Sequence, residues 1–387
     1  DFLTSSYHLE DRNKNVPKLR FKGYNDEWKK VKIGEIYKER SERGNTNAEL
    51  LSVTMNDGVK RRIDIEGKDI SSEDKSNYKS VYIGDMVYNS MRMWQGANGI
   101  SNYDGIVSPA YTVMFPRIEL CNNFIGYLFK YEPLIFLFRR YSQGLTSDTW
   151  NLKYPQIKQL SILIPSLPEQ EKIASFLTLI DKKIEKQKEL VELLKKYKRG
   201  LLSQIFSQKL RFKDDNGNYY PNWEEKRLEE ILKIKHGKSQ KEIECTNGKY
   251  PILATSGKIG KTNAYLWDKP CVLIGRKGTI DKPQYMDTPF WTVDTLFYSE
   301  VFKENNAKYL YYLFYTINWK KYDESTGVPS LSAKSIERIK VTLSIDYSEQ
   351  LIISKILSTF DNKIQQEKCI LNYLQTYKKG LLQQMFI

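Results

Sequence analysis

The stretch EQEKIASFLTLIDKKIEKQKELVELLKKYKRGLLSQIF, residues 169–206, decides the fold, because the chain contains it twice. Residues 349–386 read EQLIISKILSTFDNKIQQEKCILNYLQTYKKGLLQQMF, and the two stretches align without a gap at an offset of 180 residues. Of the 38 aligned positions, 16 are identical. A repeat of this length indicates a duplicated structural unit.

Each copy also carries a seam of residues at alternating intervals of three and four. A 3.5-residue period held over about five heptads is typical of a coiled coil, and polar residues interrupt both seams at the same two steps. We therefore predict two helices, each about 60 Å long, that pair with each other in a fixed register. The alternative is two amphipathic helices that pack on separate cores. The seam positions are Ile173, Leu177, Ile180, Ile184, Gln187, Val191, Leu194, Lys198, Leu201 and Ile205 in the first copy, and Ile353, Leu357, Phe360, Ile364, Glu367, Leu371, Leu374, Lys378, Leu381 and Met385 in the second.

The ends of these helices carry separate signals. Pro168 and Glu169 are typical of a helix N-terminus. The second copy lacks both prolines of IPSLPEQ, so Ser348 is the expected cap there. Gly200 and Gly380 are predicted as helix ends or kinks, since the apolar spacing continues past them.

The segments that flank the helices repeat as well, so the chain is a tandem of two similar modules. Each module has a variable globular part followed by one long helix. In the globular parts, strand-like runs alternate with turns and short helical stretches, which indicates a mixed α/β (α+β) fold. The matched flanking segments are KLRFK at 18–22 and 209–213, WKKVKIGEI and WEEKRLEEI from Trp28 and Trp223, and LKYPQIKQLSI and LSAKSIERIKV from Leu152 and Leu331.

The charge of the chain indicates its class of partner. A net charge of +14 and a pI near 9.2 favour a polyanion, of which nucleic acid is the commonest. Basic, amide and aromatic residues interleave in glycine-containing loops of both globules, which suits contacts to phosphates and base edges. The alternative is that these loops are polar hairpins and the aromatic residues belong to the core. The predicted DNA-contact residues are Arg92, Gln95, Asn98 and Tyr103 in the first globule and Lys258, Lys261, Arg276, Lys277 and Tyr285 in the second, with Thr146, Thr149 and Ser330 as second choices.

Signatures of catalysis are absent from the sequence. It contains no G-x-x-x-x-G-K-[ST], H-E-x-x-H or G-x-S-x-G motif, no [DN]-P-P-[FY] tetrapeptide and no glycine fingerprint for a nucleoside cofactor. Its four cysteines are scattered and it has two histidines, so we predict no metal site and a reducing cytoplasm as its location. No apolar run approaches the length of a membrane span. We therefore predict no catalytic residues, although a nuclease site without a recognisable motif stays open.

Taken together, VPKLRF at 16–21, IPSLPEQEKIASFLTLID at 164–181 and the two copies of the YK-x-GLL-x-Q motif resemble the specificity subunit of bacterial type I restriction-modification enzymes. The resemblance covers about residue 16 to the last residue. It implies two target-recognition domains, each reading one half of a bipartite asymmetric DNA site, joined by two long helices packed as an antiparallel coiled coil with pseudo-two-fold symmetry. The implied divisions are a disordered tail at 1–15, recognition domains at 16–152 and 208–332, and helical regions at 153–207 and 333–387.

The resemblance also implies partners. The helices would dock two methyltransferase subunits, and translocase-nuclease restriction subunits would join that core. S-adenosylmethionine, ATP and Mg²⁺ would be bound by those partners, with no cofactor on this chain. We expect Tyr197, Gly200, Tyr377 and Gly380 to contact the partner subunits.

Two other functions stay open on the sequence alone. The chain could be a stand-alone nuclease or methyltransferase, which would modify or cut DNA without partners. It could instead be an adaptor that binds proteins through its coiled coil, in which case it would not bind random duplex DNA at low salt.

Overall fold

The computed structural model describes residues 3–5, 15–55, 57–69 and 71–387. The chain forms two compact units, one of residues 1–187 with 370–387 and the other of residues 188–369. The predicted disordered tail at 1–15 falls largely outside the described residues, but Leu3–Ser5 forms a strand that pairs antiparallel with Leu19–Phe21. Each compact unit contains one globule and parts of both long helices, so the units divide the chain differently from the predicted domains.

The two long helices are continuous over almost the full length of the repeats. They are α5 (Leu167–Phe206) and α8 (Tyr347–Met385). The first unit contains the other elements that precede α5: β1 (Leu3–Ser5), β2 (Leu19–Phe21), β3 (Lys29–Lys32), α1 (Ile33–Ile36), β4 (Tyr37–Glu39), β5 (Leu51–Thr54), β6 (Gly58–Arg61), β7 (Lys79–Val81), β8 (Met86–Asn89), β9 (Asn98–Ile100), β10 (Gly105–Val107), β11 (Tyr111–Pro116), α2 (Asn122–Leu128), α3 (Glu132–Tyr141), α4 (Tyr154–Ile157) and β12 (Ser161–Ile164).

The second unit contains the elements between the long helices. They are β13 (Glu224–Arg227), β14 (Leu232–Lys235), β15 (Tyr250–Ala254), β16 (Gly257–Thr262), β17 (Cys271–Gly275), β18 (Gln284–Met286), β19 (Trp291–Thr292), β20 (Leu296–Val301), α6 (Ala307–Phe314), α7 (Ala333–Glu337) and β21 (Lys340–Leu343).

The two globules share the topology of their four-stranded sheet despite their divergent sequences. An antiparallel sheet of order β4-β11-β8-β9 in the first unit matches β14-β20-β17-β18 in the second. A two-stranded ribbon, β3-β12 or β13-β21, precedes each long helix. The globules differ in their smaller sheets, because β15 pairs antiparallel with β16 and parallel with β19, whereas the first unit has the pairs β5-β6 and β7-β10. The mixed α/β tandem repeat is therefore confirmed.

The long helices pack against each other antiparallel in both units. In the first unit the N-terminal part of α5, including Ile173 and Leu177, shares a core with Leu381 and Met385 of α8. In the second unit Ile205 of α5 shares a core with Ile353 and Leu357 of α8. No seam position is exposed in either helix. The antiparallel coiled coil is confirmed.

The last residue of each repeat explains why the YK-x-GLL-x-Q motif occurs twice. Phe386 packs in the core of the first unit, with ring centroids 6.2 Å from Trp28 and 5.3 Å from Phe124. In the second unit Phe206 lies 5.8 Å from Trp223 and 5.5 Å from Tyr309. The terminal phenylalanine of each long helix thus completes the core beside the tryptophan of a flanking segment, and this burial is a large apolar contribution to each unit.

The Glu-Gln pair that opens each repeat is buried and joins several segments. Glu169 accepts two hydrogen bonds of 2.7 Å from Arg20 of the KLRFK segment. Glu349 accepts instead from the Trp223 indole N–H at 2.8 Å, while the Nε of Arg211 lies 3.9 Å from its other oxygen. The two glutamates therefore hold equivalent flanking segments through different donors.

The glutamine of each pair connects the globule to the helix start. Gln170 accepts from the backbone N–H of Cys121, before α2, and donates to the carbonyl of Pro165. Gln350 accepts from the N–H of Asn306, before α6, and donates to the carbonyl of Ser344. Because both ends of each amide are satisfied, its complete burial is tolerated.

Two predictions about the helix ends need correction, Ser348 as the cap of α8 and the two glycines as helix ends, although a kink at either glycine stays a prediction. The cap of α8 is Asp346, whose carboxylate accepts from the N–H groups of Ser348 and Glu349 at 2.8 and 3.1 Å, so Ser348 is not the cap. Neither Gly200 nor Gly380 ends a helix, since α5 continues to Phe206 and α8 to Met385. The apolar residues after each glycine are packed in a core, which holds the last turns helical.

Candidate nucleic-acid interface

In the first globule, the loop after β8 lies against the loop before α4. The N–H of Leu152 donates to the carbonyl of Ser90 at 2.8 Å. Gln143 and Asn151 exchange two backbone hydrogen bonds, which close the base of the second loop. The structure therefore brings two predicted regions together: the segment with Arg92 and Gln95, and the loop with Thr146 and Thr149.

These residues differ in their availability to a ligand. Arg92 and Gln95 are partly exposed, and Thr146 and Thr149 are exposed. Thr149 donates its hydroxyl to the Thr146 carbonyl at 2.9 Å, which stabilises the loop. Glycine is required at Gly144, because its φ is +144° and a Cβ there would lie 2.7 Å from the Thr149 backbone.

Asn98 and Tyr103 occupy other positions. Asn98 is fully buried, and its amide donates to the carbonyls of Gly96 and Phe129 at 3.2 Å. Because this side chain supports the core, we remove Asn98 from the predicted DNA-contact residues. Tyr103 is partly buried beside the β5-β6 and β7-β10 strands, with the Arg61 guanidinium 5.7 Å from its ring centroid.

The structure adds an aromatic and basic cluster that the sequence analysis missed. The rings of Trp94 and Trp150, one from each loop, meet edge to face at 5.1 Å. The Arg139 guanidinium lies 5.1 Å from the Trp150 centroid, and Arg139 and Arg140 are both exposed at the end of α3. The signal for this cluster was the pair of arginines in the last turn of an amphipathic helix, but its contact with the tryptophans depends on the tertiary fold.

In the second globule, the loop after β17 lies against the loop before α7. The N–H of Leu331 donates to the Arg276 carbonyl at 2.9 Å, and the N–H of Gly278 donates to the Pro329 carbonyl at 2.8 Å. Lys277 and Ser330 form an antiparallel bridge. Predicted primary and secondary residues therefore meet here as well. They border a cleft of about 450 Å³ lined by His236, Arg276, Lys277, Ser330, Ser332 and Lys334, together with Glu324, Phe297, Leu331 and Ala333.

A carboxylate fixes the second of these loops. Asp323 accepts from the N–H groups of Ser325 and Ser330 at 3.0 and 2.9 Å, and from the Ser325 hydroxyl. These hydrogen bonds to the ionised form lower the pKa of Asp323. The charged carboxylate therefore holds both ends of the loop at neutral pH, which positions Ser330 beside Lys277.

The remaining predicted residues of the second globule do not line this cleft. Lys258 and Lys261 are exposed on β16 and line a separate cleft with Glu244 and Cys245. Tyr285 packs against α6, with its ring centroid 5.9 Å from Tyr311, and burial raises its pKa to about 12. These three residues stay predictions, but the structure does not bring them to Arg276 and Lys277.

The two loop pairs occupy equivalent places in the fold. Strands β8 and β17 have the same position in matched sheets, and the hydrogen bond from Leu152 to Ser90 matches the one from Leu331 to Arg276. Both surfaces carry basic side chains, Arg92 on the first and Arg276 with Lys277 on the second, but Ser90 occupies the backbone position of Arg276, so the two sets of side chains differ. Such an arrangement can present two different sets of donors to a polyanion on one scaffold.

The residues predicted to contact partners lie on the long helices. Tyr197 is 60% exposed although its ring packs against Phe360 at 5.3 Å, and Tyr377 is 44% exposed and stacks on Tyr373. A Cβ added at Gly200 or Gly380 would meet no atom within 4 Å. These positions are accessible, and their contact with partners stays a prediction.

Within the part of the chain that the structure covers, no group of three or more histidine, cysteine, aspartate or glutamate side chains could hold a metal ion. All four cysteines are free thiols. None of the helices described has both the length and the apolar character needed to cross a bilayer.

Comparison with known proteins identifies the family. The model of the type I restriction modification DNA specificity domain matches residues 25–195 and again residues 220–376. The chain therefore belongs to the family of type I restriction-modification DNA specificity proteins. The two matches correspond to the two modules of the tandem repeat.

Curated relatives carry the same description. The chain is 31% identical over 150 residues to the type I restriction enzyme MjaIX specificity subunit of Methanocaldococcus jannaschii, a match that covers 36% of this chain and 34% of the relative. It is 23% identical over 189 residues to the HindI specificity subunit of Haemophilus influenzae, covering 46% and 41%. The matches thus span about a third to two fifths of the length of these two curated relatives.

Solved structures share the fold over nearly the full chain. The type I restriction-modification S subunit from M. genitalium superposes with a TM-score of 0.62 at 20% identity, covering 96% of this chain and 99% of that one. A structure from a study of complex assembly and conformational transition of the type I system superposes with a TM-score of 0.58 at 16% identity, covering 93% and 97%.

Proposed function

We propose that this chain is the sequence-reading subunit of a type I restriction-modification complex. Each globule reads one half of a bipartite asymmetric DNA target. The observation that carries the proposal is the matched pair of loops: Ser90 with Leu152 and Arg276 with Leu331 place different side chains at the same point of the same fold. One scaffold with two reading surfaces suits a target whose two halves differ.

The chemistry of these loops suits duplex DNA. An arginine can donate two hydrogen bonds to guanine and a glutamine can pair with adenine in the major groove, which fits Arg276, Arg92 and Gln95. Lysines and hydroxyl groups beside them can hold phosphates, which fits Lys277, Ser330 and Thr146. The net charge of +14 adds long-range attraction to the polyanion.

The coiled coil is proposed to set the gap between the half-sites and to dock two methyltransferase subunits, through surfaces that include Tyr197, Gly200, Tyr377 and Gly380. Restriction subunits would join this core. The partners would bind S-adenosylmethionine, ATP and Mg²⁺ and supply adenine methylation or cleavage, while this chain contributes no catalytic group. The proposed complex acts in the bacterial cytoplasm.

The test is to express the chain with its methyltransferase subunits and to map methylated adenines in the DNA of that cell. A bipartite asymmetric motif with a fixed gap is expected, and exchange of residues 225–330 for another recognition sequence should change one half alone. Methylation or cutting of DNA by the purified chain without partners would favour a stand-alone enzyme. Failure to shift random duplex at low salt would favour a protein adaptor.

Arg276 and Lys277 offer a sharper test of base reading. Arg276→Ala should weaken binding to the cognate duplex by about 1–3 kcal/mol and relax specificity at one position. Lys277→Ala should weaken binding to all sequences alike and reduce the slope of log K against log salt by about one. Fluorescence anisotropy with cognate and random duplexes at several salt concentrations measures both effects.

The matched control is Lys340→Ala. Lys340 is an exposed lysine of the same unit that pairs with Glu225 at 2.7 Å on the ribbon before α8. This variant should leave specificity unchanged. If all three variants behave alike, the loop after β17 does not read bases.

A further inference from the structure

The polar interruption near the end of each helix seam has a specific set of contacts. In the first unit the Asp181 carboxylate of α5 forms an ion pair with the Lys378 ammonium of α8, with 2.5 Å between nitrogen and oxygen. The hydroxyl of Tyr127, from α2 of the globule, donates to the same carboxylate at 2.8 Å. The Lys378 ammonium also lies 5.2 Å from the Tyr127 ring centroid. One residue from each of three elements therefore meets in a single cluster.

The second unit contains the same cluster. Asp361 of α8 accepts from Lys198 of α5 at 2.5 Å and from the hydroxyl of Tyr312 of α6 at 2.6 Å. Lys198 lies 4.9 Å from the Tyr312 ring centroid. The two aspartates and the two lysines are each 180 residues apart in the sequence. Duplication of both the residue types and the contacts indicates a role shared by the two units.

These contacts restrict both the register of α5 against α8 and the placement of each globule on the two helices. A lysine in an apolar seam is unfavourable without a carboxylate opposite, so each pair favours one register of α5 against α8. A slip of one heptad would move the charges about 10 Å apart. The tyrosine hydroxyl then connects α2 or α6 to that charged pair, which fixes the globule on the two helices in the same register.

The clusters are crossed with respect to the chain order. Lys198 belongs to the repeat that follows the first globule, yet it contacts the second globule through Tyr312. Lys378 belongs to the second repeat and contacts the first globule through Tyr127. Each globule therefore depends on a lysine from the helix of the other module.

We propose that the two tyrosine–aspartate–lysine clusters are positioning sites that orient each reading globule on the coiled coil. The inference rests on the proposed function, since it assigns each half-site its own cluster. Recognition of the half-site read by the first globule depends on Tyr127, Asp181 and Lys378. Recognition of the other half-site depends on Tyr312, Asp361 and Lys198.

The first experiment measures the joint itself and needs no target sequence. Hydrogen exchange is followed in the full chain for Tyr312→Phe, Tyr127→Phe and the control Tyr219→Phe, an exposed tyrosine of the second unit. Tyr312→Phe should accelerate exchange in α6 about tenfold and leave α2 unchanged, since a hydrogen bond to a charged group is lost. Tyr127→Phe should do the reverse. If either variant changes the exchange rates of α2 and α6 by the same factor relative to the wild type, the proposal is overturned.

The second experiment measures the functional consequence in the complex with methyltransferase subunits. For each variant, methylation is compared on duplexes altered in one half-site or the other. Lys198→Met and Tyr312→Phe should each reduce discrimination between the correct and the altered half-site about tenfold, at the half-site of the second globule alone. Lys378→Met and Tyr127→Phe should have the same effect at the half-site of the first globule alone. If Lys→Met chains fail to fold, the Tyr→Phe variants still decide the result, because they remove only a hydroxyl.

The outcomes separate this inference from the proposed function. If the wild-type complex reads no bipartite site, the proposed function fails, and the exchange experiment still tests whether the clusters orient the globules. If the bipartite site is read normally but the variants affect both half-sites equally, or neither, the crossed positioning role is wrong while the proposed function stands.

Discussion

At the scale of single residues, the duplicated glutamates show how one position can be held by different donors. Glu169 binds the Arg20 guanidinium through both oxygens, whereas Glu349 binds the Trp223 indole and lies at a longer distance from Arg211. Trp28, the counterpart of Trp223, makes no hydrogen bond through its indole nitrogen. Arginine and tryptophan have thus exchanged roles between the two units.

This exchange predicts unequal costs for the same substitution. Glu169→Gln leaves a buried guanidinium without its charged acceptor and should lower the free energy of unfolding by about 3–5 kcal/mol. Glu349→Gln keeps an acceptor for the Trp223 N–H and should cost about 1–2 kcal/mol. Urea titration of both variants measures the difference. Equal losses would show that the arginine contact does not distinguish the two units.

Lys130 is a second residue whose setting has a measurable consequence. Its ammonium donates to the carbonyls of Met55 and Gly96 at 3.0 and 2.6 Å, yet burial, reinforced by the nearby charge of Lys378, lowers its pKa to about 8. Between pH 8 and the ordinary lysine value near 10.5, the unfolded chain therefore binds more protons at this residue than the folded chain. Titration of Lys130 should therefore increase the free energy of unfolding as pH rises through this window.

The check is urea unfolding of the wild type and Lys130→Met at pH 7.5, 8.5 and 9.5. The stability of the wild type relative to the variant should rise across this range, by at most about 1.4 kcal/mol per pH unit. A difference that stays constant with pH would mean that Lys130 is charged in the folded protein throughout.

At the scale of elements, the long helices act through their ends as well as their seam. Phe386 lies just after the last residue of α8, 2% exposed, and contacts Trp28, Phe124 and Tyr131. Phe386→Ala should destabilise the first unit by about 3–5 kcal/mol, because it opens a cavity in a packed core. Hydrogen exchange should accelerate in α2 but not in α6.

Tyr373→Ala is the control on the same helix, since this tyrosine is 66% exposed. It should change stability by no more than about 0.5 kcal/mol. If Phe386→Ala is equally mild, the terminal phenylalanine is not needed to complete the core.

The elements also show how far the sequence could predict the structure. The helices, their seam and their pairing followed from periodicity and from the match between the repeats, whereas the antiparallel orientation was implied only by the family resemblance. The helix caps and the tertiary contacts were harder to predict from the sequence. Asp346, three residues before Glu349, caps α8 because its backbone places the carboxylate over two N–H groups. Asn98 has an amide side chain that could hydrogen-bond to a base, but long-range packing encloses it in the core.

The candidate DNA-contact loops show the same difference between features that the local sequence indicates and features that tertiary contacts determine. The sequence indicated the regions around Arg92, Thr146, Arg276 and Ser330 separately, because each combines polar residues with a turn. Their pairing into two equivalent surfaces is set by hydrogen bonds such as the one from Leu331 to Arg276, which join residues far apart in the chain. No local pattern encodes that pairing.

At the scale of the whole molecule, the coiled coil predicts how the gap between half-sites responds to helix length. Insertion of one heptad into both helices, after Gln187 and after Glu367, lengthens each by about 10 Å and keeps the seam in phase. The preferred gap should grow by about three base pairs, since base pairs rise by about 3.4 Å. Methylation mapping of the variant complex measures the gap.

A two-residue insertion at the same two positions is the matched control, because it rotates the following seam residues by about 200° around each helix and should impair folding instead of setting a new gap. An unchanged gap in the heptad variant would show that the helices do not determine the spacing.

The terminal phenylalanines have a consequence for how such proteins arise. A fragment ending at Phe206 would keep the first globule and lose Phe386, Leu381 and Lys378, but it would still carry Phe206, Leu201 and Lys198 in the same order. Those residues are the ones that a second copy of the fragment would need for its own vacant core. Two identical half-length chains could therefore complete one another reciprocally, and such a homodimer would favour a palindromic DNA sequence. Gene fusion followed by divergence of one globule would then convert that symmetric reader into the asymmetric one.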